Sequence, residues 1–264
     1  RSRTQLFKSI SFIILGYTAS AVMFAIKYST PVGVLGLQLG FAALSAVLSP
    51  IVTFGILYLL ERMFKLTSDL LLLEYDNVNH PLLAELNEKA PGTYQHTLMV
   101  ARLAESAALA IEANPILVKV GALFHDIGKV RKAEYFVENQ INIANKHDKI
   151  APHKSASIIR QHVQEGLQLA TLYKLPQRII DFIPMHHGTM LIRYFYVKAL
   201  DEAAAKSTPD KEITVDEEDF RYGGPRPNSK ETGILMLADA VEAVSHVIDT
   251  NDRAELEEAI DTIF

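Results

Sequence analysis

The chain has 264 residues, a net charge of −5 and no cysteine. The absence of cysteine excludes disulfides, thiolate zinc sites and cysteine nucleophiles, and the acidic balance offers no general field for a nucleic-acid polymer, so an anionic ligand needs local cations or metal. Nine histidines, most of them after residue 95, are the informative residues.

Leu6–Ile26 is apolar apart from Lys8 and a few small polar residues, and Tyr28–Leu60 contains no charge. A membrane-spanning helix needs roughly 20 apolar residues, so residues 1–64 read as a two-helix hairpin in a lipid bilayer. Its second span runs from about Gly36 to Leu60, with Pro50 as an expected kink. A cleaved signal peptide fits poorly, because a second and longer apolar run follows. Arg1, Arg3 and Lys8 flank one end and Arg62 and Lys65 the other, whereas Lys27 alone lies in the turn. The positive-inside rule then puts both chain ends in the cytoplasm. A chain that begins at Arg1 and enters an apolar stretch at once is read as the C-terminal piece of a longer protein.

Residues 65–90 read as a connector. Leu70–Leu73 is expected to pack against the first helix of the domain that follows, with a homodimer seam as the alternative. Asn79-His80-Pro81 is a turn signal, with His80 capping a helix. From Tyr94 onward the periodicity is helical, through Leu98, Ala101, Leu103 and Ala104 and then Ile116–Phe124. Pro115 fits the first turn of that second helix and Asn114 its cap. Further helices are expected over roughly 153–173, 176–184, 189–205, 230–248 and 252–263. No segment alternates like a strand, so residues 91–264 read as an all-α domain. Residues 206–229 hold Pro209, Gly223, Gly224, Pro225 and Pro227 and are expected to form a long loop, often functional when ordered in a compact domain.

His96, His125-Asp126, His162, His186-His187 and Asp239 carry the chemistry. Imidazole and carboxylate suit borderline metals such as iron, manganese, zinc or cobalt. Adjacent ligands on a helix point about 100° apart, so a bridging Asp126 lets its pair serve two neighbouring ions, the arrangement that clamps both oxygens of an in-line phosphoryl displacement. In Phe124-His125-Asp126-Ile127-Gly128-Lys129, Gly128 reads as a helix stop and Lys129 as a cation close enough to meet a phosphate. Arg131, Lys132 and Asp216–Asp219 read as solvated charge. His147, His153 and His246 read as structural, although His246 lies seven residues after Asp239, on one helix face. Arg221, Tyr222 and Arg226 are candidates to embrace a substrate; the alternative is a loop tied down by Tyr222 packing.

The order His…His-Asp…Asp resembles HD phosphohydrolases, and the further histidines resemble their two-metal subset. Asn79-His80-Pro81-Leu82-Leu83, Ala90-Pro91-Gly92-Thr93-Tyr94-Gln95-His96, Phe136-Val137-Glu138-Asn139-Gln140, His147-Asp148-Lys149, His186-His187-Gly188-Thr189 and Asp219-Phe220-Arg221-Tyr222 are similar to the seven-transmembrane HD receptor family of bacteria. The resemblance covers nearly the whole chain and implies an HD-domain helical bundle behind the last two of seven spans, in the cytoplasmic membrane with the HD domain cytoplasmic. It implies a phosphodiesterase that opens cyclic di-AMP to linear pApA with two divalent transition metals, iron or manganese. By resemblance His96, His125, Asp126 and Asp239 hold one metal, and Asp126, His162, His186 and His187 the other; Asp126 and Lys129 are the catalytic pair. Rival readings are another nucleotide, such as cyclic di-GMP or a nucleoside phosphate, and a non-catalytic nucleotide sensor. Cyclic di-GMP enzymes of the class carry Gly-Tyr-Pro after the paired histidines, where Gly188-Thr189-Met190 stands here.

Overall fold

The computed structural model describes all residues except 1, 65, 141–143, 209–212, 247–252 and 264. Arg1, Lys65, Pro209 and the end of the helix expected over 230–248 therefore lie outside the described residues. The chain forms two compact units, Arg1–Leu70 and Leu71–Phe264.

The first unit is a hairpin of α1 (Ser2–Tyr28) and α2 (Val32–Phe64), packed side by side. Thr30 and Pro31 make the turn; Leu35 N–H donates to the Pro31 carbonyl and restarts the helix. The helix continues through Pro50. Both helices are long and apolar enough to cross a membrane, and they show their large side chains outward: Phe12, Met23 and Val32 are 71%, 71% and 85% exposed.

The second unit is all helix and turn, apart from one isolated bridge between Leu191 and Arg221 among the described residues. After α3 (Asp69–Tyr75) come α4 (Pro81–Lys89), α5 (Pro91–Ala110) and α6 (Pro115–Phe124). Each of α4 to α6 begins on proline, whose fixed φ suits the first helical position. His80 Nδ1 accepts from Leu82 N–H, and Asn114 Oδ1 accepts from Leu117 N–H at 3.0 Å, so both expected caps form. The apolar helix α6 packs against α5 and is buried along most of its length. Its side chains, with Leu82, Leu83, Leu86, Val100, Phe182 and Leu235, make the main core. Each such side chain stabilises by roughly 1.5–3 kcal/mol when fully buried. Leu72 is fully buried in the same core, so α3 uses it for packing within the chain.

Between α6 and α7 (Pro152–Leu172) the described residues form four short 3₁₀ turns, over 127–131, 133–135, 137–139 and 146–149. Gly128 differs from expectation here: α6 has already ended at Phe124, and Gly128 lies inside the first of these turns. A Cβ at Gly128 would fall 1.9 Å from the His162 carbonyl oxygen, so glycine is needed for the close approach of this turn to α7. The helix expected over 176–184 is two single turns, α8 (Gln177–Ile180) and α9 (Phe182–Met185). The next, α10 (Arg193–Lys206), begins later than expected, because Met190 and Ile192 hydrogen-bond along Phe220–Tyr222 instead. Residues 213–229 include a turn at Glu217–Phe220, and Ser229 with Thr232 forms a capping box on α11 (Lys230–Ser245). The last helix, α12, is Arg253–Ile263.

Candidate metal centre

Five segments converge on one point. Helix α5 supplies His96, the end of α6 supplies His125 and Asp126, α7 supplies His162, the end of α9 supplies His186 and His187, and α11 supplies Asp239. His125, Asp126, His162 and His186 are fully or almost fully buried, unusual for polar side chains unless something pairs them.

Asp126 sits in the middle. Its Oδ2 lies 3.3 Å from His125 Nε2 and 3.7 Å from His96 Nε2, and its Oδ1 lies 3.4 Å from His162 Nε2 and 3.5 Å from His186 Nε2. His96 Nε2 is also 3.0 Å from Asp239 Oδ1. The donor atoms form compact groups, among them His96, His125 and Asp239, and His162, His186 and His187.

The donor set fits divalent cations. Nδ1 of His125, His162 and His186 lies 2.6, 2.6 and 2.7 Å from the carbonyl oxygens of Ala122, Ile159 and Ile183. A carbonyl only accepts, so Nδ1 carries the proton and, in the neutral ring, Nε2 presents a lone pair inward. His162 Nε2 and His186 Nε2 then face each other at 3.4 Å, and His125 Nε2 and Asp126 Oδ1 are buried with no hydrogen-bond partner. A cation between such lone pairs satisfies them all.

The electrostatics divide the centre. Burial pushes the His162 imidazole down to about 3, outweighing the pull of Asp126, and burial with His186 beside it holds His187 well below its ordinary value. Burial also opposes charge on His125 and His96. There the carboxylates win: Asp126 and Asp239 raise His125 to about 10, and Asp239 with Glu242 raises His96 to about 9. Burial disfavours the Asp126 carboxylate, but Lys129 and His125 hold it well below the usual range. Protons and metal compete for the same lone pairs, so cation binding at His96 and His125 displaces protons.

Lys129 Nζ is 2.7 Å from Asp126 Oδ2 and 2.9 Å from Glu138 Oε1, and stands 5.0 Å from the Phe136 ring centre. Burial opposes its charge, but the two carboxylates raise its pKa above the ordinary lysine value. Glu138 also accepts from Thr93 Oγ1, and Asn139 accepts from Thr93 N–H near the start of α5. Gly92 admits this strand of chain, since a Cβ there would lie 1.9 Å from the Glu138 carbonyl oxygen.

A cavity of about 570 Å³ opens over His96, His187 and Asp239, with Lys129 and Glu138 on one side and His246 on another. That volume suits a ligand of nucleotide size. Arg221, Tyr222 and Arg226 are not among its lining residues. Arg221 pairs with Glu217 and donates to the Thr189 carbonyl at 3.0 Å. Arg226 Nε donates to Thr189 Oγ1 at 3.1 Å. Tyr222 stacks on His187 at 4.2 Å between ring centres, tying the loop to the centre by packing. Of the other histidines, His147 is buried against the Tyr135 carbonyl, His153 packs on Phe220, and His246 bonds to Glu242. Glu242, 2.6 Å from His96 Nδ1, is a neighbour of the centre that sequence reasoning missed. Its one signal is spacing: three residues after Asp239 and four before His246, on one helical face.

The HD domain family profile matches residues 93–244, and the profile for a 7TM receptor with intracellular HD hydrolase matches residues 1–68. Cyclic-di-AMP phosphodiesterase PgpH of Bacillus subtilis strain 168 is 39% identical over 229 residues, covering 85% of this chain and 31% of the relative. PgpH of Listeria monocytogenes is 42% identical, over 86% of this chain and 30% of the relative. The crystal structure of the L. monocytogenes PgpH HD domain in complex with cyclic-di-AMP superposes with a TM-score of 0.64 at 45% identity, covering 71% of this chain and 83% of that one. The chain thus spans about a third of the length of these curated relatives. It is a membrane protein and belongs to the HD-domain family, in the group that joins the hydrolase domain to a 7TM receptor.

Proposed function

We propose that this chain hydrolyses cyclic di-AMP to linear pApA at a centre of two divalent transition metals, iron or manganese, under the control of a membrane sensor region. The observation that carries this reading is the way Asp126 divides its oxygens: Oδ2 faces His96 and His125, and Oδ1 faces His162 and His186. A carboxylate with a different imidazole set on each oxygen suits a bridge between two cations. On this reading His96, His125, Asp126 and Asp239 hold one ion, and Asp126, His162, His186 and His187 the other. Two bound ions supply Lewis-acid charge and a water made nucleophilic near neutral pH.

The chain's own residues do the rest. The nearby cavity has room for a dinucleotide and brings its phosphodiester beside the centre. Lys129, locked by Asp126 and Glu138, adds a fixed positive charge where phosphate charge grows in the transition state. Tyr222 holds His187 in place by stacking. The similar PgpH proteins are cyclic-di-AMP phosphodiesterases, which supports that substrate, and Gly188-Thr189-Met190 in place of Gly-Tyr-Pro argues against cyclic di-GMP. Arg3, Lys8 and Arg62 at the open end of the hairpin, against Lys27 in its turn, orient the HD unit to the cytoplasm.

Purified protein prepared without chelator should hold close to two transition metals per chain and convert cyclic di-AMP to pApA, with cyclic di-GMP a poorer substrate. A protein loaded with two metals that leaves cyclic di-AMP intact would overturn the substrate. Full activity with one metal would overturn the two-metal centre.

A further inference from the structure

Three of the inward-facing histidines are held in the same way. His125, His162 and His186 each place Nδ1 on the carbonyl three residues earlier in the chain. His96 is held differently: its Nδ1 donates to Glu242 Oε2 at 2.6 Å. The other oxygen of Glu242 accepts from His246 Nε2 at 2.9 Å. Glu242 is only 5% exposed, and it stands on α11 one turn beyond Asp239, whose Oδ1 faces His96 Nε2 at 3.0 Å.

A carboxylate behind an imidazole does two things that a carbonyl does not. It places a full negative charge within reach of the ligand, and it makes the ring a more electron-rich donor. Asp239 Oδ1 lies 3.0 Å from His96 Nε2 and 3.6 Å from His125 Nε2, whereas its Oδ2 comes only to 3.9 Å from His187 Nδ1, and His162 and His186 face the shared Asp126. We infer that Glu242 is a positioning residue for His96 that makes the two metal seats unequal, the His96 seat binding a divalent cation more tightly than the His162 seat. This rests on the two-metal reading above. His246 secures the free oxygen of Glu242, so that the carboxylate keeps one orientation. Its own side chain is largely exposed and lines the cavity, and its hydrogen bond to Glu242 links it to His96.

The test is a Mn(II) titration of the full chain in detergent, stripped of metal, with free Mn(II) followed by electron paramagnetic resonance. The wild type should bind in two steps. Glu242→Ala should weaken one step by about 10–100-fold, the usual consequence of losing an outer-shell partner of a metal ligand, and leave the other step unchanged. Repeated on a His162→Ala background, which removes the second seat, the one remaining step should show the whole loss. Glu242→Gln keeps an acceptor for His96 Nδ1 but no charge, and should give a smaller loss at the same step. Wild-type binding by Glu242→Ala, or equal weakening of both steps, would overturn the inference while leaving the two-metal centre intact. Should the alanine variant fail to fold, the glutamine variant decides: affinities equal to wild type at both steps overturn the inference. A wild-type chain that takes up no Mn(II) would instead sink the metal reading beneath it.

Discussion

The hairpin and the HD unit are each inverted, in opposite senses. In the hairpin the large apolar side chains of Phe12, Met23 and Val32 point outward. In the HD unit the most deeply buried positions include His125, Asp126, His162 and His186. A soluble domain gains by the reverse arrangement in both places. Each inversion therefore names what the polypeptide needs around it or inside it: lipid against the hairpin, cations within the HD unit. The same rule of matched surroundings reads one end of the chain as membrane and the other as a metal site.

The strongest way to break this comparison is to remove the residue on which the buried inversion turns. Asp126→Ala takes away the carboxylate that faces both imidazole sets and pairs with Lys129. Turnover should fall by more than the ~100-fold that loss of an outer-shell partner brings, and elemental analysis should show metal content dropping from two. Asp126→Asn keeps the side-chain volume and should lose metal as well, which separates lost charge from a packing defect. Retention of two metals by both variants would mean that Asp126 is not the ligand the two ions share.

Lys129→Ala sharpens the same half of the comparison. Lys129 is bound to two carboxylates, not to an imidazole, so its removal should leave both metals in place. By analogy with loss of one oxyanion donor, the cost should be on the order of 2.7–4 kcal/mol of transition-state stabilisation, a fall in rate of roughly a hundred- to thousandfold. The loss should appear in kcat; a change confined to KM would make Lys129 a uniform binding residue.

Much of this was legible in the residues alone, and the gaps have physical causes. Apolar stretches long enough to span lipid, and helices begun by proline or capped by Asn114, show in the chain because their causes are local. The seven inward-facing residues were visible because metal chemistry restricts residue type. Partners chosen by tertiary approach were not visible. Gly128 looked like a helix stop, while its reason for being glycine is the carbonyl of His162, far along the chain. The start of α10 depends on a pairing of Met190 and Ile192 with the 220–222 segment that no periodicity reports. Arg221, Tyr222 and Arg226 read as either substrate contacts or a loop tied down by packing, and the hydrogen bonds of the two arginines to Thr189 and Glu217 left no mark in the sequence. Glu242 carried no signal except its spacing from Asp239 and His246.

The hairpin half of the comparison is tested by giving it the wrong surface. Leu48 lies midway along α2 and is half exposed. Leu48→Arg should disfavour insertion by about 2.5–3.5 kcal/mol, the cost of an arginine near the centre of a membrane helix. The variant should shift from the membrane fraction toward soluble or degraded material, while the metal content of any inserted protein stays unchanged. If Leu48→Arg inserts as well as wild type, the outward apolar face does not meet lipid. Reporter fusions at the two chain ends should then fall on one side of the membrane if the hairpin reading holds, and on opposite sides if one helix does not cross.

The smallest effect concerns the buried histidine that breaks the pattern. His147 is 4% exposed and sits in the same unit as the metal-facing imidazoles. Its surroundings differ: Nε2 lies 2.9 Å from the Tyr135 carbonyl, and the ring packs 4.9 Å from Phe195 and 5.5 Å from Tyr135. Burial lowers its pKa, and the Tyr135 carbonyl only partly offsets this, so the ring is held neutral by packing. It contributes a hydrogen bond and volume where the 3₁₀ turns meet α10. His147→Ala leaves the Tyr135 carbonyl without its donor and opens a small cavity, which should cost about 1–3 kcal/mol of stability. Tm should fall by about 2–4 °C for each kcal/mol in a domain of this size. Metal content and the rate per folded molecule should match wild type, because no atom of His147 reaches the centre. Asp126→Ala and His147→Ala thus make a crossed pair, the first losing metal and turnover with modest effect on helix content, the second losing stability alone. A His147→Ala protein short of one metal would place His147 in the centre's machinery, and burial could then no longer distinguish the histidines that hold the fold from those that hold the ions.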